Sequence, residues 1–335
     1  MRCYAVEKGR RGQRLRAQVE KAIEKVIETG EERAVAVSIF FQGQEVLNVA
    51  AGFVRTIGDR GRWRMVTPDT LFCPFSVSKG VSAATIMNLV DAGMLSYDMK
   101  VGACWSAAKN ISEYSIADAI SHRCGLSHLP FWLFRALAAR ACCKRSRKDY
   151  FEFEKSTWQR GLCWIESLIP KWKQSAGRAK YHAISFSWIV GGIVQNGAGI
   201  HVADAAERYL ISKLGMHGNM FLGRTPPSVM QNVVLHETSG SQNILPSCRQ
   251  FLATIESKIM RFCASSRHFL ALTLPSSNGC YTARALAAMY GAISNQGRVK
   301  VDGQWHDVHD PSPSGALAYV IASHANGHGV IAKCQ

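Results

Sequence analysis

A serine and a lysine stand three positions apart in Leu71-Phe72-Cys73-Pro74-Phe75-Ser76-Val77-Ser78-Lys79-Gly80, just ahead of an amphipathic segment. A serine hydroxyl is a weak nucleophile near neutral pH and needs a base within hydrogen-bond reach. Positions i and i+3 share one face of a helix, so Lys79 can sit beside Ser76 and take its proton. Unpaired N–H groups and the dipole at a helix N-terminus favour negative charge, which would steady an oxyanion forming near Ser76.

Spacing alone does not single this pair out, because Ser106-Ala107-Ala108-Lys109 repeats the tetrad. The settings differ. Ser76 follows a turn-rich approach, Val66-Thr67-Pro68-Asp69-Thr70, and opens a segment 81–92 in which Val81, Ala84, Ile86, Met87 and Val90 keep helical spacing up to a C-capping Gly93. Two readings of Ser76 stand at this point. It is a nucleophile, or it is a helix N-cap with an exposed lysine one turn later.

The rest of the chain bounds the alternatives. Its 335 residues, 47% hydrophobic, suffice for a substantial core. No apolar run reaches the roughly 20 residues of a spanning helix, and Met1–Lys8 has no signal-peptide core. Eleven cysteines without Cys-x-x-Cys spacing indicate neither a disulfide framework nor a zinc ribbon, so a reducing, cytoplasmic setting is expected. The arginine-rich start leaves a mitochondrial alternative. The net charge of +16 raises nucleic acid or anionic membrane as partners. The basic runs at 8–16 and 144–148 lack interleaved aromatics and read as solvated faces, with no specific nucleic acid expected and peripheral contact with an anionic membrane as the alternative.

Helical signals cover 12–29, 115–121, 131–143, 157–168, 183–195, 203–214 and 282–294, and a hairpin is expected from 34–41 and 45–53 around Gln42-Gly43-Gln44. His122, Cys124 and His128 lack a fourth clustered donor, so no metal is expected. Cys142 and Cys143 read as bystander thiols, and Trp158, Trp164, Trp172 and Trp188 as packing anchors, one or two of which could line an apolar acyl pocket. The Gly-x-Ser-x-Gly elbow of α/β-hydrolases is absent.

Five landmarks occur in a fixed order: Phe75–Gly80 with its Ser-x-x-Lys, Ser121-His122-Arg123-Cys124-Gly125-Leu126, Tyr181–Gly192, Lys213–Met216 and Thr282–Tyr290. On these the chain resembles the serine β-lactamase-related family, close to class C β-lactamases, D-alanyl-D-alanine peptidases and their esterase relatives, over roughly residues 30–300. The resemblance implies an α+β fold, an antiparallel sheet flanked by helices with a mainly helical insertion near 100–280. An N-terminal helix or arm would occupy 1–30, the family domain 31–300 and a divergent or truncated tail 301–335. It implies Ser76 as nucleophile, Lys79 as its base and Tyr181 as a second acid/base that becomes a phenolate only beside a cation such as Lys79. It implies a small-molecule ester or amide substrate and no cofactor or metal.

The chain also departs from that pattern. Class C β-lactamases carry asparagine two positions after the tyrosine. Here it is Ala183, which offers no side-chain donor, so esterase chemistry is expected over efficient β-lactam turnover. The family's Lys/His-x-Gly motif has two imperfect candidates, His324 and His328, of which His324 is favoured as a substrate contact. The family continues with further strands and a long helix, whereas this chain ends at Gln335, so an incomplete sheet edge prone to association is expected. The alternative to a hydrolase is an inactive or truncated member serving as a binding or scaffold protein.

Overall fold

The computed structural model describes residues 2–3, 10–141, 147–172, 178–235 and 266–310. The architecture is α+β, as expected from the sequence. A six-stranded sheet is built around β3 (Gln44–Val54), which pairs antiparallel with β1 (Arg2–Cys3), β2 (Ala34–Phe41) and β4 (Arg64–Met65). One parallel register pair, Gln44 with Lys300, joins β3 to the hairpin of β7 (Arg298–Val301) and β8 (Gln304–Asp307). A separate ribbon pairs β5 (Met220–Phe221) with β6 (Cys280–Tyr281).

The expected hairpin is present, with Gln42 at φ 49° and Gly43 at φ 70° between β2 and β3. Left-handed conformations at both turn residues twist the chain to suit the flanking strands. Alternation then sorts β2 and β3 into two faces. Leu47, Val49 and Ala51, with Val35, Val37 and Ile39, meet helix α1 (Arg10–Glu28) through Val19, Ile23 and Ile27, one turn apart. Ala50 and Val54 face the other way with Ala34, Ala36, Val66 and Phe72. On that side the helix Ala283–Ser294 packs on β2, with Gly291 close against Phe40. Arg284 ties the helix to the sheet, donating to Glu45 at 2.7 Å and Asp302 at 2.8 Å.

The helices between β4 and β7 include α2 (Ser78–Asp91), α3 (Val101–Cys104), α4 (Ile116–Ile120), α5 (Phe131–Ala141), α6 (Arg147–Ser167) and α7 (Phe186–Gly197). A capping box starts α4, where Ser115 and Asp118 satisfy each other's backbone N–H. The segment expected to be one helix over 203–214 is wound as α-helix Val202–Ala206, a π-turn Glu207–Ile211 and α-helix Ser212–Leu214, closed by Gly215 at φ 66°. Among the described residues no helix is long and apolar enough to cross a membrane.

Helix α2 is the centre of the molecule and is buried from Ser78 to Leu89 except at Gly80. A helix buried on all sides must hide its polar side chains, and here Thr85 and Asn88 bond back to the carbonyls of Val81 and Ala84, both at 2.9 Å. Helix α7 packs nearby by close approach of glycine to tryptophan: Gly191 abuts Trp158 and Gly192 abuts Trp105. Trp158 and Trp188 are core anchors, Trp164 is partly buried against the core, and Trp172 donates to the Arg123 carbonyl at 3.1 Å.

The glycine–tryptophan contacts give a first test. Gly191→Ala should destabilise the protein by about 1–3 kcal/mol, because the added methyl group overlaps the Trp158 ring. Gly61→Ala, where the added atom meets nothing within 4 Å, should stay within about 0.5 kcal/mol. Urea midpoints measure both, and equal losses would contradict this account of the α6–α7 packing.

Candidate active site

Ser76 sits in a single 3₁₀ turn, Phe75–Val77, that leads into α2. Phe75 takes the left-handed conformation at φ 47°, uncommon for a bulky residue and a local strain that the surrounding packing must hold. Neither the 3₁₀ turn nor α2 has a side-chain cap, so the N-cap reading of Ser76 is not what the chain adopts. The half-buried hydroxyl points instead at two functional groups. Lys79 Nζ lies 3.2 Å from Ser76 Oγ, and Tyr181 Oη donates to the same oxygen at 2.7 Å.

Lys79 is fully buried, and its amine has two further partners, the carbonyls of Ala183 at 2.9 Å and Ser276 at 3.0 Å. Burial holds its pKa well below the ordinary lysine range. Desolvation of an ammonium ion costs several kcal/mol. The aromatic faces of Tyr181 and Phe186, 4.7 and 5.7 Å from Nζ, return only about 0.5–2 kcal/mol in cation–π attraction. Burial thus weighs against the charged form of the amine. Two of its N–H groups donate to the two carbonyls, and its third direction meets the Ser76 hydroxyl at 3.2 Å.

Tyr181 stands at the rim, 44% exposed, with its hydroxyl end turned inward. Burial raises its pKa, and the hydrogen bond to Ser76 opposes that only in part. The resting group is a phenol that donates to Ser76, not the phenolate that a charged Lys79 would support. Tyr181 Oη and Lys79 Nζ thus converge on Ser76 Oγ, at 2.7 and 3.2 Å.

Two buried histidines hold Tyr181 in place. The Leu126 N–H donates to His182 Nε2 at 2.9 Å, so the proton of His182 is on Nδ1 and faces His122 Nδ1 at 3.3 Å. The backbone N–H of His182 donates to His122 Nδ1 as well, at 3.3 Å, and the His122 ring meets the edge of Tyr181 at 5.0 Å between centroids. Lys180 N–H to the His122 carbonyl and Ser185 Oγ to the Leu126 carbonyl complete the seam. Desolvation above all pushes the pKa of His182 down to about 3, so His182 is neutral at ordinary pH.

A second support carries the Ser276 carbonyl. Ser187 Oγ donates to Ser276 Oγ at 2.6 Å and accepts from the Ser276 N–H at 3.1 Å. Ser82 donates to the Pro275 carbonyl at 2.7 Å, and the Gly279 N–H donates to Ser78 Oγ at 3.1 Å. Asn278 then gathers the turn by donating to the carbonyls of Phe269 and Leu272, both at 2.7 Å.

Of the residues expected from the sequence, Ser76, Lys79 and Tyr181 come together. Ala183 joins them through its carbonyl. Ser106 and Lys109 are exposed and belong to a different part of the surface. His324 and His328 lie outside the described residues. Sequence reasoning missed Ser276, whose contribution is a main-chain atom, and the joint role of His122 and His182. The signal for the latter was present in the landmarks 121–126 and 181–192, which are partners in space. A cavity of about 270 Å³ lies elsewhere, lined by Tyr150, Phe151, Glu154, Arg224 and their neighbours. Its carboxylate, Glu154, is already engaged by Arg224 at 3.2 Å and Thr273 at 2.7 Å, so proximity to Ser76 outweighs cavity size in locating the chemistry.

Comparison with known proteins bears on the family and the fold. The sequence profile described as Beta-lactamase matches residues 19–329. The esterase/beta-lactamase LipL of Mycobacterium tuberculosis (strain ATCC 25618 / H37Rv) is 26% identical over 278 residues, 79% of this chain and 59% of LipL. The chain thus spans about three fifths of the length of that relative. A penicillin-binding protein homolog from Caulobacter crescentus superposes with a TM-score of 0.66 at 22% identity, over 97% of this chain and 77% of that one. A family VIII carboxylesterase gives 0.70 at 19% identity, over 95% and 76%.

The histidine seam predicts a pH dependence. Because folding lowers the pKa of His182 to about 3, the unfolded chain binds a proton that the folded chain refuses as pH falls below the free-imidazole value of about 6.5. The stability associated with neutral His182 is present above that value and is lost as pH drops toward about 3. His182→Gln keeps an acceptor for Leu126 without titrating. Its unfolding free energy, measured in urea across that window, should fall less steeply than that of the wild type; identical slopes would contradict the seam.

Proposed function

The chain belongs to the β-lactamase family, and on that premise we propose that it is a serine hydrolase that cleaves a small-molecule ester through an acyl-enzyme on Ser76. The observation that carries this reading is the triple environment of the fully buried Lys79 amine, with two carbonyl acceptors and one hydroxyl within 3.2 Å. No group in that set stabilises the chain as well as a hydrophobic side chain would. The arrangement makes sense as a base held ready.

Acylation would run as follows. A substrate carbonyl approaches Ser76 Oγ from the open side next to Tyr181. Lys79 accepts the hydroxyl proton as the C–O bond forms, and the field at the start of α2 steadies the negative carbonyl oxygen. Tyr181 gives its phenol proton to the departing alkoxide, and the ammonium of Lys79, whose nitrogen lies 4.7 Å from the centre of the Tyr181 ring, returns a proton to the phenolate. The net result is transfer of one proton from Ser76 to the leaving group. Water then takes the place of the alcohol, loses its proton over the same path and releases the acid.

Ester is favoured over β-lactam for a local reason. Ala183 presents a methyl group where a side-chain amide would bind a lactam substituent, while its carbonyl is occupied by Lys79. The similarity to LipL, whose name joins both activities, supports the class of reaction without choosing between them.

A fluorophosphonate probe should label Ser76 alone, within the tryptic peptide Met65–Lys79, and Ser76→Ala should abolish the labelling. Lys79→Arg keeps a cation that cannot serve as base, and should slow labelling by on the order of a hundredfold or more. Labelling on another serine would overturn the assignment. With short-chain aryl esters and cephalosporins compared by kcat/KM, the esters should be preferred; the reverse order would move the proposal to β-lactam hydrolysis.

A further inference from the structure

Two buried thiols next to the site have no part in the proposed chemistry. Phe72 and Tyr281 form an antiparallel bridge in which each N–H donates to the other's carbonyl, both at 2.9 Å. One step along that pair, Cys73 on one strand faces Cys280 on the other, in the non-hydrogen-bonded position where facing Cα atoms approach to about 4.5 Å. That separation falls inside the range a disulfide spans. The side chains agree with the register, because the Cys73 thiol is hydrogen-bonded to Cys280 and both residues are 0% exposed. Neither is in a disulfide in this structure.

We propose that Cys73 and Cys280 are a redox-sensitive staple, which closes to a disulfide by exchange with an oxidised low-molecular-weight disulfide such as oxidised glutathione. One cysteine thiolate attacks a glutathione sulfur, forming a mixed disulfide and expelling one glutathione thiolate. The second cysteine attacks the protein-side sulfur, forming the Cys73–Cys280 bond and expelling the other. Two cysteine protons are transferred to the two glutathione thiolates, so one disulfide is exchanged for another.

The surroundings set how the staple behaves. The hydrogen bond with the neighbouring Cys280 thiol, and then desolvation, raise the pKa of Cys73, so attack awaits opening of the 72–281 bridge and closure is slow. Once closed, the same burial shields the bond from reductants. The backbone bonds of Phe72 and Tyr281 already set the strand spacing, so closure needs little rearrangement. Cys73 lies three residues before Ser76, and Cys280 four residues after Ser276, which supplies a carbonyl to Lys79. The staple therefore joins the segment carrying the nucleophile to the segment carrying the base's acceptor, and it should stiffen the site without closing it. This inference is independent of the hydrolase reading.

The test uses the full chain equilibrated in glutathione buffers of increasing oxidised fraction, then alkylated in denaturant and digested without reduction. Trypsin places the two residues in separate peptides with one cysteine each, Met65–Lys79 and His268–Arg284. The expected product is these two joined, about 2 Da lighter than their sum, and a Tm raised by roughly 5–10 °C as expected for a staple closing a long loop in a chain of this size. Cys73→Ser and Cys280→Ser should each lose the Tm increase. Full alkylation of both residues at every oxidised fraction, or either one linked to a third cysteine, would overturn the proposal. The peptide map is made on the wild type, so a variant that fails to fold leaves the result intact.

Discussion

The removal of the Lys79 amine from water is the constraint on which the rest of the site depends. An ammonium ion in this position would have to be held against a desolvation cost of several kcal/mol. With two main-chain carbonyls and two ring faces around it, burial still holds the pKa of the amine well below the ordinary lysine range. Neutrality is what makes lysine a base. In the proposed reaction, burial that would be a liability in a structural residue sets the direction of proton transfer from Ser76.

The surrounding fold is organised to keep that amine in one place. The 3₁₀ turn and the first turn of α2 bring Ser76 and Lys79 together, while Thr85 and Asn88 further along α2 bond back to its own carbonyls and Ser82 holds the Pro275 carbonyl. The Ala183 carbonyl is placed by the seam of His122, His182 and Leu126, and the Ser276 carbonyl by Ser187 and Asn278. Both supports consist of side chains bonded to backbone. Such bonds fix the position of a carbonyl more tightly than apolar packing does, which suits a site where the acceptor is the main chain itself. Glycine against tryptophan then brings α7, and with it the segment 181–185, close to the core.

The sequence made visible what depends on side-chain identity and local spacing. Ser76 and Lys79 were legible because a helix brings i and i+3 together, and the β2–β3 hairpin because Gly43 interrupts two alternating apolar runs. Tyr181 was legible only through family resemblance, since no local spacing links position 181 to position 76. Ala183 was noted for the side chain it lacks, whereas its structural part is played by a carbonyl that every residue has. Ser276 was missed for the same reason. The histidines were weighed as metal ligands and set aside; their place in a seam depends on a contact sixty residues apart in sequence. The charge state of Tyr181 also lay beyond the sequence, because it follows from the burial of its hydroxyl end in the fold.

The central claim is that Lys79 is uncharged in the resting protein at neutral pH. With lysines labelled at ¹³Cε, NMR can follow each side chain through a pH titration, and Ser76→Ala and Lys79→Arg samples assign the resonance that matters. The account predicts one resonance, absent from Lys79→Arg, that titrates well below the ordinary lysine range or already has the chemical shift of a free amine at neutral pH. If every lysine, Lys79 included, titrates near the ordinary value of about 10.4, the amine is charged at rest and Lys79 is not the base.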